Sequence, residues 1–246
     1  MIELTTTCIN WIKSYFEKTN GKVAVVGISG GKDSTVCAAL CVRALGKENV
    51  IGVLMPNGYQ NDIKDSYRVC EFLEIEYLTI NIRTAYNSII SDIENQCSYP
   101  LKKTNKISKI TKQTEFNLAP RLRMASLYAV AQSIPGGRVC NTSNMCESYI
   151  GYGTLWGDTV GDFSPLGNCV ISEVKEMGYD LGLPKDLIDK APADGLTGKT
   201  DEDVLGFTYK NVEKCIIHCS NDEYSKIINK HIQNKFKSNM INIPKF

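Results

Sequence analysis

This chain of 246 residues has two histidines, no C-x-x-C pair and no apolar run of membrane-spanning length. The first two absences remove the usual zinc-site spacings, and the third removes a hydropathic membrane helix. Of the ten cysteines, Cys37/Cys41 and Cys215/Cys219 stand at helical spacing. That is the pattern of small core hydrophobes, not of a disulfide framework. A net charge of +1 gives no basic excess for a nucleic-acid track. The opening stretch, MIELTTTCINWIKSYF, lacks the basic start and continuous apolar core of a signal peptide. It instead sets Ile9, Ile12 and Phe16 on one helical face. With the cysteine usage, this leads to the expectation of a reduced, cytoplasmic setting. No repeat or linker divides the chain, so one domain over 1–246 is expected.

Two phosphate-binding motifs are also missing. The P-loop needs a glycine five residues before Gly30 or Gly31 and a Ser or Thr after Lys32; Asp33 stands there instead. The G-x-G-x-x-G dinucleotide fingerprint is absent from the same stretch.

What is present is VAVVGISGGKDST, Val23 to Thr35. Val23 to Val26 reads as a buried parallel strand, Gly27 ends it, and Ser29-Gly30-Gly31 forms a turn that a Cβ at either glycine would crowd. A helix follows up to Leu45, with Gly46 behind it as its C-terminal stop. Strand, glycine turn and helix aim free N–H groups and a helix dipole at one point, which suits a phosphate. A carboxylate beside phosphates repels them unless a cation intervenes, so Asp33 implies Mg²⁺.

Further strands are expected at Val50–Met55, Tyr77–Ile80 and Arg138–Asn141, with helices at Asp62–Leu73, Thr84–Asn95, Arg121–Ser133 and Ser172–Leu181, the last capped by Ser172. The alternation predicts an α/β fold, a Rossmann-like, doubly wound parallel sheet with ligands at the carboxyl ends of its strands. Two polar segments, about 96–117 and 191–206, interrupt it and are expected to be mobile loops, the second running into a helix at Asp201. Thr142-Ser143-Asn144 follows a strand directly, and Glu147 either adds a carboxylate to the same metal or serves as a helix N-terminal acid. The segment from Ile150 to Leu166 is rich in glycine and aromatics and carries two acids expected to be buried, Asp158 and Asp162, which suits ligand binding.

The S-G-G-K-D-S loop resembles the pyrophosphate loop of the N-type ATP pyrophosphatases. Later motifs narrow the resemblance: M-P-N-G at Met55–Gly58, N-x-x-x-R-x-R-M at Asn117–Met124, N-T-S-N-x-x-E at Asn141–Glu147, G-Y-G-T-x-x-G-D-x-x-x-D-F-S-P-L at Gly151–Leu166, and D-E-D-x-L-G-F-T-Y at Asp201–Tyr209. Together they resemble the NAD synthases, from Val23 to about Phe236.

The resemblance implies an adenine nucleotide alpha hydrolase-like, three-layer αβα fold and an ammonia-dependent ligase. ATP would adenylate the nicotinate carboxylate of nicotinic acid adenine dinucleotide, and ammonia would displace AMP. It implies that Gly27, Ile28, Ser29, Gly30, Gly31, Lys32, Asp33 and Ser34 hold ATP with Met55 and Thr142, and that Asp33 and Glu147 hold Mg²⁺. Asp33 and Lys32 would act at the reacting phosphates. Arg121, Asp162 and His231 would bind the dinucleotide, in a homodimer. An amidating enzyme for another carboxylate and a non-catalytic nucleotide binder remain the alternatives.

The chain departs from the family at four places, having Leu155 and Ile171 where relatives often carry lysine, Ala193 where they carry Ser or Thr, and Ile232 beside His231. Lys32 and Lys199 are the expected replacements for the missing charge.

Overall fold

Val23–Gly27 forms the first strand, β1, and lies inside the sheet. Ala24, Val25 and Val26 are wholly buried, so residues on both faces of the strand meet apolar neighbours. This is why the sequence runs continuously apolar here instead of alternating. β2 (Val50–Leu54), β3 (Glu76–Thr79) and β4 (Gly137–Cys140) complete a parallel sheet ordered β3-β2-β1-β4. Val25 sits opposite Ile51 of β2 on one side and Val139 of β4 on the other. The chain therefore winds outward from β1 to β2 and β3, then returns to place β4 on the opposite side of β1. The order reverses between β1 and β4, and in a doubly wound sheet that crevice receives the ligand.

The computed structural model describes residues 2–98, 109–190, 201–218 and 224–237. Helices α1 (Ile2–Lys18), α2 (Lys32–Leu45), α3 (Ile63–Leu73), α7 (Ile171–Asp180) and α8 (Lys185–Ile188) pack together on one face of the sheet, around Ile12, Phe16, Leu40, Leu54 and Met177. α4 (Arg83–Ser98) and α5 (Lys112–Gln132) lie on the other, where Val25, Val53, Met124, Leu127 and Val139 are buried. This is the three-layer αβα arrangement. A smaller apolar cluster joins α6 (Met145–Ile150), α10 (Tyr209–His218) and α11 (Ser225–Asn234) through Cys146, Ile150, Val212 and Ile227. The eight described cysteines are free and buried, as small core hydrophobes should be. No described helix is long and apolar enough to cross a membrane.

Three boundaries differ from expectation. α5 begins at Lys112, so residues 112–117 are helical and not part of a loop. Thr111 caps it by accepting the Thr114 N–H, and the helix continues through Pro120, which hid the earlier turns from a periodicity reading. α4 likewise extends to Ser98, whereas α9 (Asp201–Leu205) starts at Asp201 as expected; residues 99–108 and 191–200 lie outside the described residues. Finally, Ser172 is not the cap of α7. The helix starts at Ile171, the Val170 N–H is satisfied by the Glu173 carboxylate, and the Ser172 N–H goes to Glu213.

Candidate active site

At the carboxyl end of β1 the Ile28 N–H still donates to Val53 O, 3.0 Å away, before the chain turns through Ser29, Gly30 and Gly31. Gly30 has φ +77°, and a Cβ there would stand 2.9 Å from both Asp65 Cβ and the Ser66 backbone nitrogen. Only glycine fits. Gly31 does not meet the expectation of crowding: φ is −90°, and a Cβ would touch only Ser29 Oγ at 3.3 Å, the end of a side chain that can turn away. Ser34 ties the turn together. Its hydroxyl accepts the Ser29 N–H (3.2 Å) and donates to Gly31 O (3.1 Å). Thr35 Oγ1 donates to the same carbonyl at 2.8 Å. The loop is thereby fixed with the first turn of α2 at the end of β1, where its free N–H groups favour an anion.

Lys32 and Asp33 open α2. Lys32 is 5% exposed, and its Nζ donates to Asp33 Oδ2 at 2.7 Å. Asp33 Oδ1 accepts from Asn144 Nδ2 at 3.1 Å. Asn144 is fully buried and caps α6: its Oδ1 accepts the Glu147 N–H at 3.0 Å, while Glu147 Oε2 accepts the Asn144 N–H at 3.1 Å. This capping box gives Glu147 its helix N-terminal role, and through the bond from Asn144 to Asp33 the starts of α6 and α2 are joined. Asn144 is a site residue that sequence reasoning passed over. Its signal was present in N-x-x-E at 144–147, just after a strand.

The other expected residues fall into three groups. Thr142 lies two residues past the end of β4, and Met55 is buried at the end of β2. Met55 O accepts from Arg123 Nε at 2.9 Å. Arg123 was also missed, although it is the second arginine of R-x-R; burial pushes its pKa down, and the Asp158 carboxylate pulls it back up. Arg121 is exposed, with Nε on Leu155 O at 3.2 Å.

The glycine-rich segment is held against β4 by Asn141, whose Nδ2 donates to Asp158 O and whose Oδ1 accepts from Ser143 N and Ser164 Oγ. Asp162 accepts the Val139 N–H at 2.7 Å with one oxygen and the Tyr128 hydroxyl at 3.1 Å with the other. Asp158 accepts the Thr154 N–H. Both residues are exposed, contrary to expectation, because they satisfy donors at the sheet edge and in a turn, although burial of the Asp158 carboxyl still pushes its pKa up. His231 reaches α6 from α11: its ring stacks on Tyr149 at 4.2 Å, with Nδ1 2.6 Å from Tyr149 O.

Leu155 and Ile171 lie in the segment beside Arg121 and at the start of α7, and Ile232 is exposed. Ala193 and Lys199 fall outside the described residues. Lys32 is present at the loop but paired with Asp33. Among the described residues no group of three or more His, Cys, Asp or Glu is placed to hold a metal ion by itself.

The chain matches the sequence model of the NAD synthase family over residues 4–244. It is 38% identical over 215 residues to the NH(3)-dependent NAD(+) synthetase of Thermococcus sibiricus, covering 87% of this chain and 79% of that protein. With the synthetase of the same name from Finegoldia magna it shares 35% identity over 225 residues, 91% of this chain and 87% of the other. Among solved structures, it resembles the NMN synthetase of Francisella tularensis with a TM-score of 0.86 and 32% identity, covering 99% and 98% of the two chains. The NH3-dependent NAD synthetase of Campylobacter jejuni aligns over the same shares with a TM-score of 0.76 and 30% identity.

Proposed function

The chain belongs to the NAD synthase family, and we infer that it forms a carbon–nitrogen bond by using ATP to activate a nicotinate carboxylate for attack by ammonia. The observation that carries this reading is the joining of α2 and α6 through Asp33 and Asn144 at the crevice where the strand order reverses.

The acceptor is proposed to be nicotinic acid adenine dinucleotide. A carboxylate is a poor acyl donor to ammonia, and adenylation turns one of its oxygens into the leaving group AMP. The turn Gly27–Gly31 and the first turn of α2 would hold the polyphosphate with their N–H groups, Ser29 and Ser34 fixing the loop's shape. Lys32 would balance charge on Asp33 and the departing pyrophosphate. Met55 and Thr142 would border the nucleotide. Asn57 Oδ1, buried and without a partner among the described residues, is free to accept from an adenine amine. Arg121, Asp162 and His231 are proposed for the second substrate. Ammonia needs no enzyme nucleophile, only a site from which water is kept away.

The residues present fit Mg²⁺. Asp33 and Glu147, whose carboxylates both bond to Asn144 from the starts of α2 and α6, would be the two hard ligands that hold it. When bound it would neutralise the charge of the polyphosphate. A homodimer is also proposed. None of the described side chains of α4 is buried, and Tyr77, Leu78, Ile89 and Phe116 are exposed. A cavity of about 450 Å³ lined by Ile51, Leu78, Val130 and Ile134 opens on the same face of the sheet.

The test is a product assay with ATP, Mg²⁺, the dinucleotide and ammonium, expected to yield NAD, AMP and pyrophosphate. The likeness to an NMN synthetase favours a second reading, in which the nicotinate mononucleotide is the acceptor. Comparing kcat/KM for the two acceptors decides between them.

A further inference from the structure

The first turn of α3 is acidic and lies against the phosphate loop. Asp62 precedes the helix and Asp65 is in its first turn. Gly30 is in direct contact with Asp65 and Ser66, as the 2.9 Å clearances for an added Cβ show. Ser66 in this seam is wholly buried, and its hydroxyl has no partner among the described residues. Two carboxylates next to a polyphosphate site, both only partly exposed to solvent, would oppose nucleotide binding. Lys190, from the turn after α8, meets both. Its Nζ donates to Asp65 Oδ2 at 2.7 Å and to Asp62 Oδ2 at 3.0 Å. Burial pulls the Lys190 pKa down, but the two carboxylates outweigh it and hold the ammonium above the ordinary lysine value.

We propose that Lys190 is a positioning residue for nucleotide binding, which neutralises Asp62 and Asp65 so that the loop at Gly30 can accept the phosphates of ATP. This deepens the ligase reading and rests on it. Lys190 acts through the two acids and makes no contact with substrate in this role. Its effect is therefore electrostatic and can be separated from packing by removing the acid as well as the base.

The experiment measures ATP affinity by calorimetry on the full chain, alongside steady-state kinetics, for Lys190→Met, Lys190→Arg, Asp65→Asn and the double variant Lys190→Met/Asp65→Asn. Lys190→Met is expected to weaken ATP binding about tenfold at low salt, less at high salt, with kcat changed less than about twofold. Lys190→Arg should bind as wild type does, and the double variant should recover most of the loss. Unchanged ATP affinity in Lys190→Met overturns the proposal. So does a double variant as weak as the single one, which would make the lysine a packing residue. Wild-type protein that binds ATP but makes no amide would instead remove the ligase reading, while the affinity comparison would still judge Lys190.

Discussion

Asn144 donates to Asp33 across 111 positions of sequence, and the 3.1 Å bond ties the first turn of α2 to the cap of α6. Lys32 holds the second oxygen of the same carboxylate, so Asp33 is oriented from both sides. Asn144→Ala removes this bond and the cap together. Loss of a cap and a buried hydrogen bond should lower stability by about 1–3 kcal/mol, seen as a lower melting temperature. Asn144→Asp keeps a capping oxygen but sets a second carboxylate against Asp33. It should melt higher than the alanine variant and still turn over at least about tenfold more slowly than wild type.

Glu147 has a demonstrated cap and a proposed metal, and the two roles separate in Glu147→Gln. Glutamine preserves a capping box, so the melting temperature should stay close to wild type. If the carboxylate also holds Mg²⁺, kcat should fall by about a hundredfold, as it should in Asp33→Ala. Normal turnover by Glu147→Gln across a magnesium titration would leave the cap as its whole function.

The loop is not a P-loop, and ATP should be cleaved between its α and β phosphates. Chromatography of the products should show AMP and pyrophosphate; ADP and phosphate as main products would be incompatible with an acyl adenylate. Free ammonia should be the nitrogen donor, in line with the NH(3)-dependent relatives. Glutamine without ammonium should give less than about a hundredth of the rate, a gap equal to nearly 3 kcal/mol in the barrier.

Cysteine reactivity should be low in the folded protein. Burial pushes the thiols of Cys70 and Cys146 up to about 12, so almost no thiolate forms at pH 8. Eight of the ten cysteines are free and buried, which leaves two, Cys97 and Cys219, outside that set. Titration with a thiol reagent at pH 8 should label at most these two quickly, and all ten after unfolding. Rapid native labelling of more than two would show that the packing around the buried cysteines opens readily.

If α4 and the exposed edge at β3 meet a second copy, a charge placed there should dissociate it. Ile89→Glu is expected to convert a dimer to a monomer in sedimentation experiments at micromolar concentration, with little change in melting of the monomer, since Ile89 is 37% exposed in the single chain. A wild-type protein that already sediments as a monomer would remove the dimer.

Local order in the sequence was enough to determine the βα unit at Val23–Leu45, the parallel sheet and the cysteine-lined core. A strand buried on both faces needs a continuous apolar run, and a turn with φ +77° packed on another helix needs glycine; both are written within a few residues. The motifs also identified the family, because they recur in register along most of the chain. The tertiary structure alone decided which side chains meet. Asp33 with Asn144, Arg123 with Met55 O, Asp162 with Val139, and Lys190 with Asp62 and Asp65 are separated by between 23 and 128 positions. Periodicity says which face a residue occupies, but not which distant donor will find its carboxylate. Asp158 and Asp162 show the difference: their apolar, glycine-rich surroundings in sequence suggested burial, yet hydrogen bonds to N–H groups at an edge and a turn keep them at the surface. That choice is made by the backbone donors that the fold leaves unpaired, and these exist only once the sheet has formed.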